Sequence, residues 1–192
     1  QQAIQVMLDP ADCGPACISL SQDVQGEVFD YPEEFFKERI HTIRRPKPDD
    51  FQIKEAAEII KKSKKPIIIA GGGVFYSDAT EELSSFASKH NIPVTQTVMG
   101  YSSIKKDHSH YLGTIGGLGG KAANNLSKET DTAIAVGTKL ADFTTGSWAN
   151  FENPDFKLVS INAARFDANK HMAQAVVGDA KVSLIELSQA LG

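Results

Sequence analysis

From Asp49 onward the hydrophobic and polar positions fall into a regular alternation, and before it they do not. Ile53, Ala56, Ala57, Ile59 and Ile60 recur at helical spacing, with Asp49 or Asp50 placed to cap the amino end and Lys61, Lys62, Lys64 and Lys65 suited to the negative end. Pro66 then opens an apolar run, Ile67 to Ala70, that reads as a buried strand, and Gly71-Gly72-Gly73 permits a sharp turn after it. The pattern predicts a helix over about Asp78 to Lys89 that buries Leu83, Phe86 and Ala87, followed by a strand at Ile92 to Thr95. The second half repeats the unit. A Gly-rich loop, Gly113 to Gly120, leads into a helix near Lys121 to Lys128, and strands follow at Thr132 to Val136, Lys157 to Ile161 and, briefly, Val176-Val177. Asp179 caps a last amphipathic helix carrying Val182, Ile185, Leu187 and Leu191. Alternating strands and helices predict an α/β fold, a doubly wound parallel sheet of about six strands with right-handed crossovers.

The amino-terminal region lacks this order. Ala3 to Leu8 is a helix-like fragment broken by Asp9-Pro10, and Gly14 to Leu20 reads as a buried strand with no local partner. A parallel strand needs a neighbour, which would have to come from elsewhere. Gln22 to Pro48 is polar and proline-interrupted, with Arg44-Arg45-Pro46-Lys47-Pro48 reading as a linker, so a domain boundary is expected there.

Composition narrows the function classes. With 41% hydrophobic and 23% charged residues the chain has ordinary globular composition, which excludes disorder and fibre. Its 20 basic against 24 acidic residues leave a formal charge of -4, so no nucleic-acid or anionic-lipid partner is expected. No apolar run approaches the roughly 20 residues of a membrane span. Gln1 to Pro10 has neither the basic flank nor the cleavage pattern of a signal peptide, which points to a cytoplasmic protein with no membrane partner. Cys13 and Cys17, four apart around Gly14-Pro15, match neither a redox pair nor half of a four-ligand zinc site and read as reduced thiols.

Candidate chemistry gathers at predicted strand ends. Asp142-Phe-Thr-Thr-Gly-Ser-Trp148 follows a strand that exits into Gly137-Thr138, at the carboxyl edge where open α/β sheets bind ligands. Thr144, Thr145 and Ser147 would equally cap a helix or close a turn. Gly71-Gly72-Gly73 would expose backbone N–H groups to an anion or a carbonyl, or simply supply positive φ. The Gly-rich loop fails the Walker pattern, because Ile115 stands where a glycine is needed and Ala122 where a hydroxyl is needed. Gly117-Leu118-Gly119-Gly120-Lys121-Ala122 matches a relaxed dinucleotide fingerprint, but Tyr111 to Gly116 does not read as the strand that must precede it. His108 and His110 read as solvated loop residues, and His41, His90 and His171 are isolated. Asp142, Asp167 and Asp179 sit at strand ends, where carboxylates serve ligands or cap helices. No nucleophile–base set and no nucleophile elbow is present. The residues by themselves describe a ligand-capable α/β domain.

Five segments carry a resemblance: Gly14 to Val24 (GPACISLSQDV), Phe29 to Phe36 (FDYPEEFF), Arg39 to Pro48 (RIHTIRRPKP), Ile67 to Tyr76 (IIIAGGGVFY) and Val136 to Asn150 (VGTKLADFTTGSWAN). Together the chain resembles the thiamine diphosphate-dependent enzymes, and among them those that open a cyclic 1,2-diketone by C–C cleavage in myo-inositol degradation. The resemblance implies that residues 1–24 are the tail of a pyrimidine-binding domain, 25–48 a connecting segment, and 49–192 a Rossmann-like central domain. It also implies a homo-oligomeric full-length enzyme holding thiamine diphosphate and Mg²⁺ in domains absent from this sequence. The glutamate that activates the aminopyrimidine and the Gly-Asp-Gly…Asn motif do not occur here; Gly26-Glu27 and Gly178-Asp179-Ala180 do not fill those roles. No catalytic residue and no metal ligand is therefore expected in this chain, and no activity from it alone. The middle domain of some relatives binds FAD or ADP. By motif those contacts fall on Gly71, Gly72, Gly73, Gly100, Gly116, Gly137, Thr138 and Asn162. Asn162 stands where such relatives place an acidic residue, which implies a vestigial nucleotide site. The alternative from a different class is a stand-alone nucleotide- or flavin-binding α/β module, since fold alone does not decide function.

Overall fold

Residues 1–192 are described by a computed structural model and fall into two units, Gln1–Arg44 and Arg45–Gly192. The first holds two short helices, α1 (Gln2–Met7) and α2 (Gln22–Gln25), and a 3₁₀ turn, Glu33–Phe36. Asp9 ends the first helix: its carboxylate accepts from the amides of Ala11 (2.9 Å) and Asp12 (3.0 Å) and pairs with Arg44 at 2.6 Å. No side chain of this unit is buried. The expectation of a strand at Gly14 to Leu20 is not met, since the segment pairs with nothing and Ile18 and Leu20 are exposed. A strand exists only as half of a ladder, and alone its backbone groups gain nothing over water.

The second unit is a parallel six-stranded sheet in the order β3-β2-β1-β4-β5-β6. It opens with α3 (Asp50–Lys62), where the Asp49 carboxylate accepts from the amide of Phe51 and Ile53, Ala56, Ala57 and Ile60 face inward. The elements that follow are β1 (Pro66–Ala70), α4 (Gly72–Tyr76), α5 (Thr80–His90), β2 (Val94–Gln96), β3 (Tyr111–Thr114), α6 (Lys121–Glu129), β4 (Thr132–Val136), α7 (Asp142–Thr145), β5 (Lys157–Asn162), α8 (Arg165–Ala168), β6 (Gln174–Val177) and α9 (Ala180–Leu191). Strands of a parallel sheet are buried on both faces, so alternate residues enter different cores. Ile68, Ala70, Ile134, Val136, Val159 and Ile161 pack with α3, α5 and α9, whereas Ile67, Ile69, Ala133, Ala135 and Leu158 pack toward α6.

Two local expectations need correction, and one crossover departs from the strand–helix alternation. Tyr111–Thr114 is a strand, although its sequence does not read as one; it lies at the sheet edge, is only half-buried, and carries Gly113 at φ 97° beside a register shift. An edge strand with a bulge need not show an apolar run. This edge strand completes the six. In α9 the inward residues are Ala180, Ser183, Leu184 and Leu187, while Ile185 is exposed, because α9 packs on both α3 and α5 and its buried stripe is set by those neighbours. Finally, the crossover from β4 to β5 contains only the four-residue α7, and Trp148, Phe151 and Phe156, packed as tilted rings at centroid distances of 5.5 and 4.8 Å, cover the sheet where a helix would lie.

At the amino edge Asp131 ties two loops together. Its carboxylate accepts from the Ser63 hydroxyl and from the amides of Lys64 (2.7 Å) and Lys65 (3.2 Å). Burial acts to raise the pKa of this group, but these hydrogen bonds outweigh it and hold it below the usual carboxylate value. A depressed folded-state pKa contributes stability that is present above the unfolded value of about 3.9 and is lost as pH falls through the lower folded one. Asp131→Ala is accordingly expected to cost about 1–3 kcal/mol at neutral pH, with the two proteins converging in strong acid. Urea denaturation at pH 7 and pH 2.5 checks it, and a gap that persists undiminished in acid would contradict the assignment.

Candidate functional site

The strands all exit at one edge, and the loops there bring most of the expected residues together. Chain direction across the sheet reverses between β1 and β4, the position at which open α/β sheets form their ligand crevice. Gly71 follows β1 and Gly137 follows β4. Their loops touch directly: the amide of Gly71 donates to the carbonyl of Val136 at 2.8 Å, and that of Gly73 to the carbonyl of Gly137 at 2.9 Å. A Cβ on Gly73 would lie 2.5 Å from Gly137 Cα, so only glycine permits this approach. The β2 loop joins the cluster where a Cβ on Gly100 would meet Ala70 O at 2.2 Å, and where the Ser103 hydroxyl donates to Gly71 O at 3.1 Å.

Beyond Gly137, the Thr138 hydroxyl accepts from the Leu140 amide at 3.2 Å. Asn162, the last residue of β5, donates through Nδ2 to Thr138 O (3.2 Å) and accepts through Oδ1 from the Ala164 amide (3.0 Å). Gly71, Gly72, Gly73, Gly100, Gly137, Thr138 and Asn162 thus form one set at the carboxyl edge. Gly116 belongs to a neighbouring contact, where Gly117 N donates to Phe143 O at 2.8 Å and Asn124 grips both the amide and the carbonyl of Gly116. Asn124 and Ser103 are positioning residues that sequence reasoning missed, and an asparagine in a helix or a serine in a loop carries no pattern that would reveal them.

The other candidates have structural partners. Asp142 accepts from the Ser147 hydroxyl at 2.8 Å, and Thr145 is buried with its hydroxyl donating to Asp142 O at 3.3 Å, so Asp142 to Trp148 closes a turn. Asp179 caps α9 and accepts from Arg45 at 3.0 Å, while Asp167 pairs with Lys170. The dinucleotide-like loop does follow a strand, β3, but it folds back on it: Gly120 N donates to Thr114 O at 2.9 Å, and a Cβ on Gly119 would lie 2.7 Å from Gly116 N. His110 bonds Asn91 at 2.9 Å and His108 bonds Ser88 at 3.2 Å, both through exposed contacts.

This arrangement limits the chemistry available. The β1 and β4 loops meet by direct glycine-to-glycine backbone contact. The rim is apolar, with Phe75, Met99, Leu118, Phe143 and Phe166 all exposed. No group of three or more His, Cys, Asp or Glu side chains is placed to hold a metal ion.

Comparison with known proteins fits this geometry. The family model described as thiamine pyrophosphate enzyme, central domain, matches residues 53–187. A 3D-(3,5/4)-trihydroxycyclohexane-1,2-dione hydrolase from Clostridium perfringens is 48% identical over 98% of this chain, and one from Clostridium botulinum is 50% identical over 98%. The chain spans about 30% of the length of these curated relatives. Among solved structures, benzoylformate decarboxylase from Polynucleobacter necessarius superposes with a TM-score of 0.72 at 20% identity, covering 93% of this chain and 33% of that one, a likeness of fold. With its parallel six-stranded sheet and a family match across most of its length, this chain belongs to the thiamine pyrophosphate enzymes and corresponds to their central domain.

Proposed function

We propose that this chain is the central domain of a thiamine diphosphate-dependent hydrolase that opens a cyclic 1,2-diketone, trihydroxycyclohexane-1,2-dione, by C–C cleavage in myo-inositol degradation. The observation that carries the reading is the 48–50% identity to dione hydrolases over 98% of the chain, the amino-terminal unit included. In this reading residues 1–24 end a pyrimidine-binding domain, residues 25–48 connect, and residues 49–192 form the central domain. Thiamine diphosphate and Mg²⁺ are held by parts of the full-length protein outside this chain, and that protein is a cytoplasmic homo-oligomer. What this chain supplies is a rigid α/β body, with no acid, base or nucleophile of the reaction. The test is to supply the full-length protein with the dione, thiamine diphosphate and Mg²⁺ and to follow the ring-opened acid. Turnover by the full-length protein and none by residues 1–192 is expected; a full-length protein that binds the cofactor yet leaves the dione intact would overturn the substrate.

We further propose that Gly71, Gly72, Gly73, Gly100, Gly116, Gly137, Thr138 and Asn162 mark a vestigial nucleotide site. Support comes from the direct contact of the Gly71–Gly73 and Gly137 backbones and from Asn162, whose amide is committed on both sides to backbone groups. Titration of this chain with ADP and with FAD is expected to show no saturation up to about 1 mM, an affinity weaker than roughly -4 kcal/mol. Micromolar binding of either ligand would favour the stand-alone nucleotide or flavin module instead.

A further inference from the structure

The run Arg45-Pro46-Lys47-Pro48 reads from its composition as a linker, yet its freedom is small before any contact is made. Each proline fixes its own φ and biases the residue before it toward extended backbone, so Arg45 and Lys47 are restricted as well. The prolines also lack a backbone N–H, which leaves fewer donors to satisfy when the run lies against the protein. The structure seats it on the turn between β6 and α9. The Asp179 amide donates to Pro46 O at 2.8 Å, and Pro48 is buried, so close to Gly178 that a Cβ there would lie 2.9 Å from Pro48 Cδ. Lys47 pairs with Glu186 of α9 at 3.4 Å, a largely exposed contact that adds little.

Arg45 closes the contact. Its Nη1 donates to Asp179 Oδ2 at 3.0 Å, and Asp179 is only 3% exposed. The carboxylate divides its oxygens: Oδ1 accepts from the amides of Lys181 (3.0 Å) and Val182 (3.3 Å) and so starts α9, which leaves Oδ2 for Arg45. A carboxylate this enclosed needs a partner on its second oxygen, and Arg45 is the cation paired with it. The turn held in this way belongs to the carboxyl edge, because the Gly178 amide donates to Asn162 O at 3.1 Å and Asn162 donates in turn to Thr138 O. We propose that residues 45–48 are a fixed strap of the central unit, locked to the β6–α9 turn by Arg45, and that the strap positions the turn from which Gly178 meets Asn162. This goes beyond the proposed reaction and holds whichever substrate the full-length protein takes.

Backbone ¹⁵N relaxation and residue-resolved amide exchange on residues 1–192 test it. In the unaltered chain the Arg45 and Lys47 amides are expected to show the order parameters of a rigid backbone, roughly 0.85, where a flexible tether would fall below about 0.6. In Arg45→Ala the Asp179 and Gly178 amides are expected to exchange faster by on the order of 10-fold, the share of a hydrogen bond to a charged group. The Lys181 and Val182 amides, held by the other carboxylate oxygen, and those of β1 and β4 should keep their rates. Tether-like order parameters at Arg45 and Lys47, or unchanged exchange at Asp179 or Gly178 in the variant, would overturn the proposal. Should Arg45→Ala loosen β1 and β4 as well, the order parameters of the unaltered chain decide.

Discussion

Gly137→Ala is expected to destabilise residues 45–192 by about 3 kcal/mol or more, enough to abolish a measurable folded baseline in a marginal domain. Two independent costs combine. Gly137 sits at φ 59°, where an L side chain costs roughly 1–2 kcal/mol. Its Cβ would also lie 2.5 Å from Gly73 Cα, 2.7 Å from Gly73 C and 2.8 Å from Val74 N, all backbone atoms that cannot rotate away. Two controls separate the terms. Gly113→Ala has the positive φ of 97° but nothing within 4 Å, so it should cost only the backbone share, and Gly120→Ala has open space and no positive φ, so it should be nearly neutral. Urea midpoints for the three variants check the order. Equal midpoints for Gly137→Ala and Gly120→Ala would show that the two loops do not meet as described.

Residues 1–192 are expected to show no saturable heat when titrated with thiamine diphosphate and Mg²⁺, whereas the full-length protein should bind both. A diphosphate with its cation needs several oxygen ligands converging on the metal, and no group of three acidic, histidine or cysteine side chains converges anywhere in this chain. The carboxylates at the sheet's carboxyl edge are engaged otherwise: Asp142 by Ser147, Asp167 by Lys170 and Asp179 by Arg45 and the first turn of α9. A micromolar dissociation constant for this chain, about -8 kcal/mol, would mean that the cofactor site had been placed in the wrong part of the protein.

Much of the central unit was legible in the sequence because its signals are local. The run Ile67 to Ala70, the helical spacing from Ile53 to Ile60 and the caps at Asp49 and Asp179 each express a preference that neighbouring residues settle among themselves, and each appears where the pattern put it. The gathering of Gly71, Gly100, Gly137 and Asn162 at one edge was legible too, since parallel strands with crossovers all exit on the same side.

What the tertiary structure decided is everything that depends on a partner distant in sequence. Tyr111–Thr114 is a strand because β2 offers it a ladder, and Gly14 to Leu20 is not one because nothing does. Trp148, Phe151 and Phe156 stand in for a helix because the sheet face beneath them has to be covered. Gly71-Gly72-Gly73 could have been an anion cradle or a close-packing surface on sequence alone. The close packing was decided by Gly137, 64 residues after Gly73, whose carbonyl accepts from the Gly73 amide and whose Cα a Cβ on Gly73 would meet at 2.5 Å. Periodicity fixes which face of an element is buried, but which loop meets which is set only when the sheet order brings their strands side by side.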